Sequence, residues 1–299
     1  MHAADLRLGI IGTDTSHVTA FTEILNNPES PDYVPGARVV AAFKGGSPDL
    51  ESSATRVDKY AEELRAKWHV EFAGDIPALC RKVDAVLLES LDGRVHLEQA
   101  KAVFAAHKPV FIDKPLAATL EDAREIASLA KQAGVPWFSS SSYRFGEIGT
   151  SLKFADTIGA IAWGPGPLEE HHPLELAWYA IHPIELLYTL MGPGCEEVTR
   201  IFTPDADEIV GRWKGGRIGS VRALRPYGPE GAIVIRANQQ VVRSSAKPVE
   251  GYRPLLVEIV KFFQTEQPPV SNEETLEIFA FMDAAQRSKT AGGAPMKLR

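Results

Sequence analysis

Residues Gly12-Thr13-Asp14-Thr15-Ser16-His17 follow a short apolar run, Leu6–Ile11. A strand that runs into a glycine and then into a helix start can present backbone N–H groups to a phosphate. A dinucleotide loop carries Gly-x-Gly-x-x-Gly at this point. Here only Gly12 is kept, with Asp14 at the second glycine position and His17 at the third. An aspartate is unfavourable there, because two like charges ~4 Å apart near a protein surface repel by about 4 kcal/mol. A nucleotide fits if Asp14 turns away, as a helix cap with Thr15 or Ser16, or if the pyrophosphate sits differently. Thr13 and Ser16 then offer hydroxyls. A strand-to-helix turn with no ligand is the plain alternative.

Two further groups of residues are chemically suggestive. Phe43-Lys44-Gly45-Gly46-Ser47 ends a second apolar run, where an NAD enzyme carries an acid for the ribose hydroxyls. Lys44 and Ser47 suit a 2′-phosphate instead, so NADP is expected ahead of NAD if either binds. A solvated loop lysine is the commoner fate of such a residue. Glu169-Glu170-His171-His172, followed by His182 and Glu185, is dense in carboxylate and imidazole. Such groups can hold zinc or manganese. A polar pocket or surface histidines rank ahead of that reading, and no metal is expected.

The elements that must position these residues alternate in the first half. Apolar runs at Leu6–Ile11, Ala37–Phe43, Asp84–Leu88, Pro109–Ile112 and Pro136–Ser139 read as strands. Between them, Ser16–Asn26, Arg56–Trp68, Val95–Ala106 and Leu120–Ala133 carry apolar residues at helical spacing. Unbroken apolar strands between amphipathic helices predict a parallel sheet covered on both faces. Right-handed crossovers make it a doubly wound, Rossmann-type sheet. After about Phe145 the texture changes to successive strands: Glu197–Phe202, Glu208–Trp213, Arg217–Leu224, Ala232–Ile235 and Gln240–Val242. Lys214-Gly215-Gly216 and Asn238-Gln239 read as tight turns. Helices over Leu255–Gln264 and Asn272–Ser288 end the chain, the last with a Ser271-x-x-Glu274 capping box. The expected division is therefore an α/β domain over residues 1–145 and an α+β domain over residues 146–299, with a mostly antiparallel, open-faced sheet.

Several segments carry a family likeness. Phe111-Ile112-Asp113-Lys114-Pro115-Leu116 is similar to a Glu-Lys-Pro segment, with Asp113 for the glutamate. His96 precedes the helix before it. Ser142-Tyr143-Arg144-Phe145 resembles Asn-Tyr-Arg-Phe after the last Rossmann strand, and Trp178 through Leu187 resembles an Asp-x-Gly-x-His-x-x-Asp helix start. In this order and spacing, nearly the whole chain resembles the Gfo/Idh/MocA family of NAD(P)-dependent oxidoreductases (glucose–fructose oxidoreductase, inositol dehydrogenase, MocA).

The resemblance implies hydride transfer between a nicotinamide and a sugar, cyclitol or related polyol. It makes Lys114 the residue that polarises the substrate oxygen and His182 the proton-transfer partner, both at one pocket although in different domains. Histidine suits that role because it titrates near neutrality. Pro183 fits a first helical position, so His182 is expected at a helix start, where the positive helix end disfavours imidazolium. Cofactor contacts are expected from Gly12, Thr13, Ser16, His17, Lys44, Ser90, His96 and Asp113, and substrate contacts from Tyr143, Arg144, Glu170, His172, Trp178 and Glu185. The chain departs from the family where Trp178 replaces the aspartate four residues before His182, Ala180 the glycine and Glu185 the later aspartate. Those changes feed a second reading, a non-redox descendant of the fold: a metal-assisted lyase or hydrolase, or a binding protein.

Bulk properties narrow the partners. The chain has 299 residues, 44% hydrophobic and 24% charged, with a net charge of −7. No lysine or arginine run offers a phosphate-backbone footprint, so nucleic acid is not an expected partner. No stretch approaches the roughly 18 apolar residues of a membrane span. The first residues, MHAADLRLGIIG, show no basic-then-apolar signal pattern. Cys80 and Cys195 lack a partner motif, which favours free thiols and a cytoplasmic setting. Apolar residues on both faces of the second sheet predict a homodimer or homotetramer.

Overall fold

The structure, a computed structural model, describes residues 5–299; residues 1–4, the head of the stretch read for a signal, lie outside it. The first half runs β1 (Leu6–Ile11), α1 (Ser16–Asn26), β2 (Ala37–Phe43), α2 (Glu51–Ala54), α3 (Val57–Trp68), β3 (Glu71–Phe72), α4 (Ile76–Cys80), β4 (Ala85–Leu88), α5 (His96–Ala105), β5 (Val110–Ile112), α6 (Leu120–Ala133) and β6 (Trp137–Phe138). These six strands form one sheet in the order β3-β2-β1-β4-β5-β6. Every pairing in it is parallel, as the unbroken apolar runs require: β4 and β5 are buried at every residue. The order reverses between β1 and β4, which places the strand-end crevice beside the Gly12 loop. The two-residue edge strand β3 was not expected, because Glu71-Phe72 is too short to show a period.

The second half runs α7 (Glu147–Ser151), β7 (Thr157–Pro165), α8 (Glu175–Trp178), α9 (Ile181–Met191), β8 (Cys195–Phe202), β9 (Ala206–Trp213), β10 (Ile218–Leu224), β11 (Gly231–Arg236), β12 (Val241–Arg243), α10 (Arg253–Thr265), α11 (Asn272–Thr290) and β13 (Met296–Lys297). The second sheet has the order β12-β11-β7-β10-β9-β8-β13. It is antiparallel throughout except where β10 lies parallel to β7. Sequence reading misses β7, a central strand. Gly159 and Gly164 blunt its β signal, yet they are what lets it pack. A side chain at Gly164 would stand 3.3 Å from the Pro183 ring of α9, so the glycine lets helix and sheet approach closely. The inner face of this sheet is sealed by Tyr188 of α9 and Phe281 of α11 against Trp213, with ring centroids 5.6 and 6.1 Å away. β10 alternates more cleanly than its sequence suggests: Val221 and Ala223 point inward and Ile218 outward.

The chain divides into two compact units, and the division is not a single cut at 145/146. The first unit ends at Ser139 and takes in Tyr252–Asn272; the second comprises Ser140–Gly251 and Glu273–Arg299. The physical reason lies in two segments. Ser140, Ser141 and Arg144 hydrogen-bond to Glu185 of α9, so the last turn before residue 145 travels with the second unit. α10 buries Leu255, Leu256, Ile259, Phe262 and Phe263, and Phe262 stands edge-on to Phe138 of β6 at 5.0 Å. That apolar face makes α10 part of the first unit. No helix among the described residues is long and apolar enough to cross a membrane, and both cysteines are free and buried.

Phe262 is fully buried, so Phe262→Ala is expected to lower stability by about 3–5 kcal/mol, measured by urea unfolding of the full chain.

Candidate active site

The Gly12 loop carries the strongest local constraint in the first unit. Gly12 has φ +89°, and a side chain there would come within 2.5 Å of the Ser90 backbone. Gly45, at the end of β2, also lies against Gly12, since its added Cβ would be 3.1 Å from the Gly12 Cα. Three strand-end loops therefore meet at one glycine. Asp14 turns inward and is fully buried. Its carboxylate accepts from the Ser53 hydroxyl at 2.6 Å and from the Leu91 N–H at 3.0 Å. The cap of α1 is Thr15, which accepts from the His17 N–H, and not Asp14. Thr13 spends its hydroxyl on the carbonyls of Lys44 and Val57. Ser16, the first residue of α1, is exposed.

His17 stands where a third glycine would let helix and strand touch. Its imidazole fills that space, stacked on Phe21 at 5.1 Å and edge-on to Tyr252 at 4.7 Å. Nδ1 lies 2.6 Å from Asp113 Oδ2. Burial opposes ionisation of Asp113, yet His17 and then Lys114 hold its pKa below the ordinary carboxylate value. Asp113 Oδ1 also accepts the Lys114 N–H. Lys114 itself follows β5 and is buried. His96 is fully buried, with Nε2 2.7 Å from the Ser90 carbonyl and Nδ1 3.2 Å from that of Leu116. It fastens the β4 and β5 loops together, and burial lowers its pKa. Ser90 gives its hydroxyl to Gln99. Lys44 pairs with Asp58 in an exposed ion pair, and Ser47 donates to Asp92, whose other partner is Arg94.

These residues suit a dinucleotide. An open α1 N-terminus, the exposed Ser16 hydroxyl and a close-approach glycine are what a pyrophosphate needs, and the inward turn of Asp14 removes its repulsion. The end of β2 offers Lys44 and no acid.

In the second unit the site is built on α9. His182 is its second residue and Pro183 its third, two positions later than the proline signal implies. A proline is tolerated there because the first four N–H groups of a helix have no intrahelical partner. Gly164 of β7, already described, receives that proline. His182 Nδ1 lies 2.7 Å from Ser141 Oγ, with the rings of Tyr143 at 5.1 Å and Tyr179 at 5.7 Å. One turn on, Glu185 accepts from Ser140 Oγ at 2.5 Å, the Ser141 N–H at 2.7 Å and Arg144 Nε at 2.9 Å. Arg144 reaches on to Glu274 at 2.8 Å. Burial raises the Glu185 pKa and outweighs the pull of Arg144. Burial likewise opposes the Arg144 charge, but Glu185 and Glu274 together outweigh it and raise the pKa. Trp178 lies 5.9 Å from the ring of His172, which is buried with Nδ1 on the Leu174 carbonyl. Glu170 is exposed, and His171 pairs with Glu169. Among the described residues, no group of three or more His, Cys, Asp or Glu is placed to hold a metal ion.

Sequence reasoning misses Ser140, Ser141, Tyr179 and Glu274 as partners in this cluster; serines and a helix-start glutamate carry no signal of their own. It also misses Glu89, whose signal was available: an acid directly ends the apolar run Asp84–Leu88. Glu89 is 0% exposed, and neither carboxyl oxygen has a hydrogen-bond partner among the described residues. Burial, and after it the Asp113 carboxylate, raises its pKa well above the ordinary value. The folded protein thus keeps a proton that the unfolded chain releases above about pH 4.3. Stability then falls as pH rises from there through the folded pKa. Glu89→Leu is expected to add about 1–3 kcal/mol at about pH 8. The gain should shrink towards about pH 5, read from urea unfolding at both pH values.

Residues 6–140 match GFO_IDH_MocA, an oxidoreductase family with an NAD-binding Rossmann fold. The chain is 33% identical over 132 residues to inositol 2-dehydrogenase of Klebsiella pneumoniae subsp. pneumoniae, covering 43% of this chain and 34% of that one. It is 51% identical over 90 residues to 1,5-anhydro-D-fructose reductase of Ensifer adhaerens, covering 29% and 25%. The matched segment thus spans about a third or less of these curated relatives. Similar solved folds cover nearly the whole chain. One is a probable dehydrogenase from Thermotoga maritima, with a TM-score of 0.79, 21% identity, and coverage of 98% of this chain and 99% of that one. Another is myo-inositol dehydrogenase from Lactobacillus casei in complex with NAD(H) and myo-inositol, with a TM-score of 0.75, 18% identity, and coverage of 99% and 97%. Over residues 6–140, and in the parallel sheet those residues build, the chain is similar to the Gfo/Idh/MocA oxidoreductase family.

Proposed function

We propose that the protein is an NAD(P)-linked oxidoreductase acting on a CH–OH group of a sugar, cyclitol or related polyol. The observation that carries the reading is the Gly12 loop, a pyrophosphate seat at the α1 N-terminus with Asp14 turned out of the way. The family match over residues 6–140 and the inositol and anhydrofructose relatives support it. In this reading the first unit takes the nucleotide and the second takes the substrate. When bound, the nicotinamide supplies a carbon that accepts or gives a hydride. The chain does the rest. Lys114 carries a positive charge at the end of β5 and polarises the substrate oxygen. His182 takes the hydroxyl proton, or returns it in reduction. Tyr143, Arg144, Trp178 and Glu185 shape the polar side of the substrate site.

Lys44 bears on cofactor choice. Its exposed pair with Asp58 is worth little, about 0–1 kcal/mol, so the lysine can turn to a 2′-phosphate. NADP is then preferred over NAD. The two buried free thiols fit a reducing, cytoplasmic setting.

The second sheet also supports a homodimer or homotetramer. Ile158, Ile161, Val210 and Ile218 line its outer face and are 36–58% exposed, an apolar patch of the kind that a second copy covers.

Three outcomes are expected. His182→Ala loses about 10²–10⁴-fold in turnover and Lys114→Ala loses activity as well, both with wild-type unfolding curves, in assays with myo-inositol and with 1,5-anhydro-D-fructose. Lys44→Ala weakens NADP binding about 10-fold or more and leaves NAD binding unchanged in calorimetric titration; absence of binding by either nucleotide to the wild type refutes the function. Ile218→Asp yields monomers in light scattering where the wild type is dimeric or larger.

A further inference from the structure

We propose that Ser141 is a positioning residue for His182: its hydroxyl holds imidazole Nδ1, and Nε2 is the proton-transfer atom. This rests on the role given to His182 above. Ser141 is fully buried, and its Oγ lies 2.7 Å from Nδ1. The serine is itself pinned. Its N–H donates to Glu185 Oε2 at 2.7 Å, and the Tyr143 N–H donates into its Oγ at 3.2 Å. Glu185 in turn is held by Ser140 and by Arg144. His182 and Glu185 are three residues apart on α9 and so share one face of the helix. One serine therefore grips the helix twice, by its backbone at Glu185 and by its side chain at His182. An oxygen with these anchors does not follow the ring. The ring is oriented by the oxygen.

A histidine that moves protons at one nitrogen needs the other held, so that its tautomer and ring plane are set. A carboxylate commonly does this. In this chain Trp178 occupies the position where the resemblance places an aspartate, and a hydroxyl contacts the ring instead. The substitution has chemical consequences. A serine hydroxyl is neutral and both donates and accepts, so it adds no charge next to imidazolium. When Nε2 takes a proton from a substrate hydroxyl, Nδ1 keeps its hydrogen and donates it to Ser141 Oγ. The substrate O–H bond breaks, the Nε2–H bond forms, and the ring becomes imidazolium. The reverse step returns the proton from Nε2 while the Nδ1 contact stays in place. The same oxygen serves both directions.

The decisive experiment is ¹⁵N NMR of the histidine rings in the full-length, substrate-free protein, with His182→Gln identifying the His182 signals. The wild type is expected to show His182 in one neutral tautomer. Ser141→Ala keeps the backbone bond to Glu185 and should leave the segment docked, but it is expected to show two tautomers in exchange. Ser141→Thr should restore one. Wild-type ring nitrogens in Ser141→Ala would overturn the proposal. In the kinetic arm, with NADP and myo-inositol, Ser141→Ala should lose about 10²-fold in kcat with KM within about 2-fold of wild type, and Ser141→Thr should recover most of it. A loss confined to KM would also overturn it. Wild-type turnover by His182→Ala would refute the role given to His182, and the NMR comparison would still decide whether Ser141 holds the ring.

Discussion

A carboxylate taken out of water must recover its hydrogen bonds from the chain, because an unpaired buried charge costs far more than folding can offset. In each unit that requirement ties down the loops that carry the candidate site residues. Asp14 draws α2 and the β4 loop to the glycine turn through Ser53 and Leu91. Asp113 draws the start of α1 to the end of β5 through His17. In the second unit Glu185 gathers Ser140, Ser141 and Arg144 onto α9. Each acid works as a fastener because it is short, directional and bonded from more than one element. Glu89 is the exception, buried with no hydrogen-bond partner for its carboxyl oxygens among the described residues, and burial raises its pKa well above the ordinary value.

The glycine loop shows how a degenerate motif can keep its geometry. The first glycine is needed on steric grounds, since its positive φ and its contact with Ser90 admit no side chain. The second and third glycines matter because they leave room, and room can be managed in other ways. Asp14 leaves the pyrophosphate side by pointing into the protein. His17 occupies the helix–strand gap as a packing residue, between Phe21 and Tyr252, and uses its polar edge on Asp113. The loop has lost two letters of its fingerprint and kept an open helix N-terminus.

The second sheet divides its labour by face. Inward residues meet α9 and α11 around Trp213, the largest aromatic of that core. This packing sets the height of α9 over β7, and through it the position of His182 and Glu185. The glycine at 164 is part of that setting, since the Pro183 ring rests where a side chain would otherwise be. The outward residues have no such duty and mix exposed Ile158, Ile161, Val210 and Ile218 with polar Glu208, Arg212, Ser220 and Arg222.

Most of the framework was legible in the sequence. Strands β1, β2, β4 and β5 show as apolar runs and helices α1, α3, α5 and α6 as apolar residues at helical spacing, and both patterns are properties of the residues alone. So is the parallel sense of the first sheet, because strands covered on both faces must be apolar at every position. The resemblance likewise singled out Lys114, His182, Arg144 and Glu185 as candidates through short motifs. What the sequence could not supply is any partnership made across distance. Nothing local says that Asp14 bonds to Ser53, that His17 meets Asp113, or that Ser141 faces His182; nor does Thr157–Pro165, with its two glycines, read as a central strand. Helix and strand type follow from interactions between near neighbours in the chain, which composition and spacing record. The direction in which a buried carboxylate or imidazole points follows from which donors the fold brings within about 3 Å, and only the tertiary structure decides that.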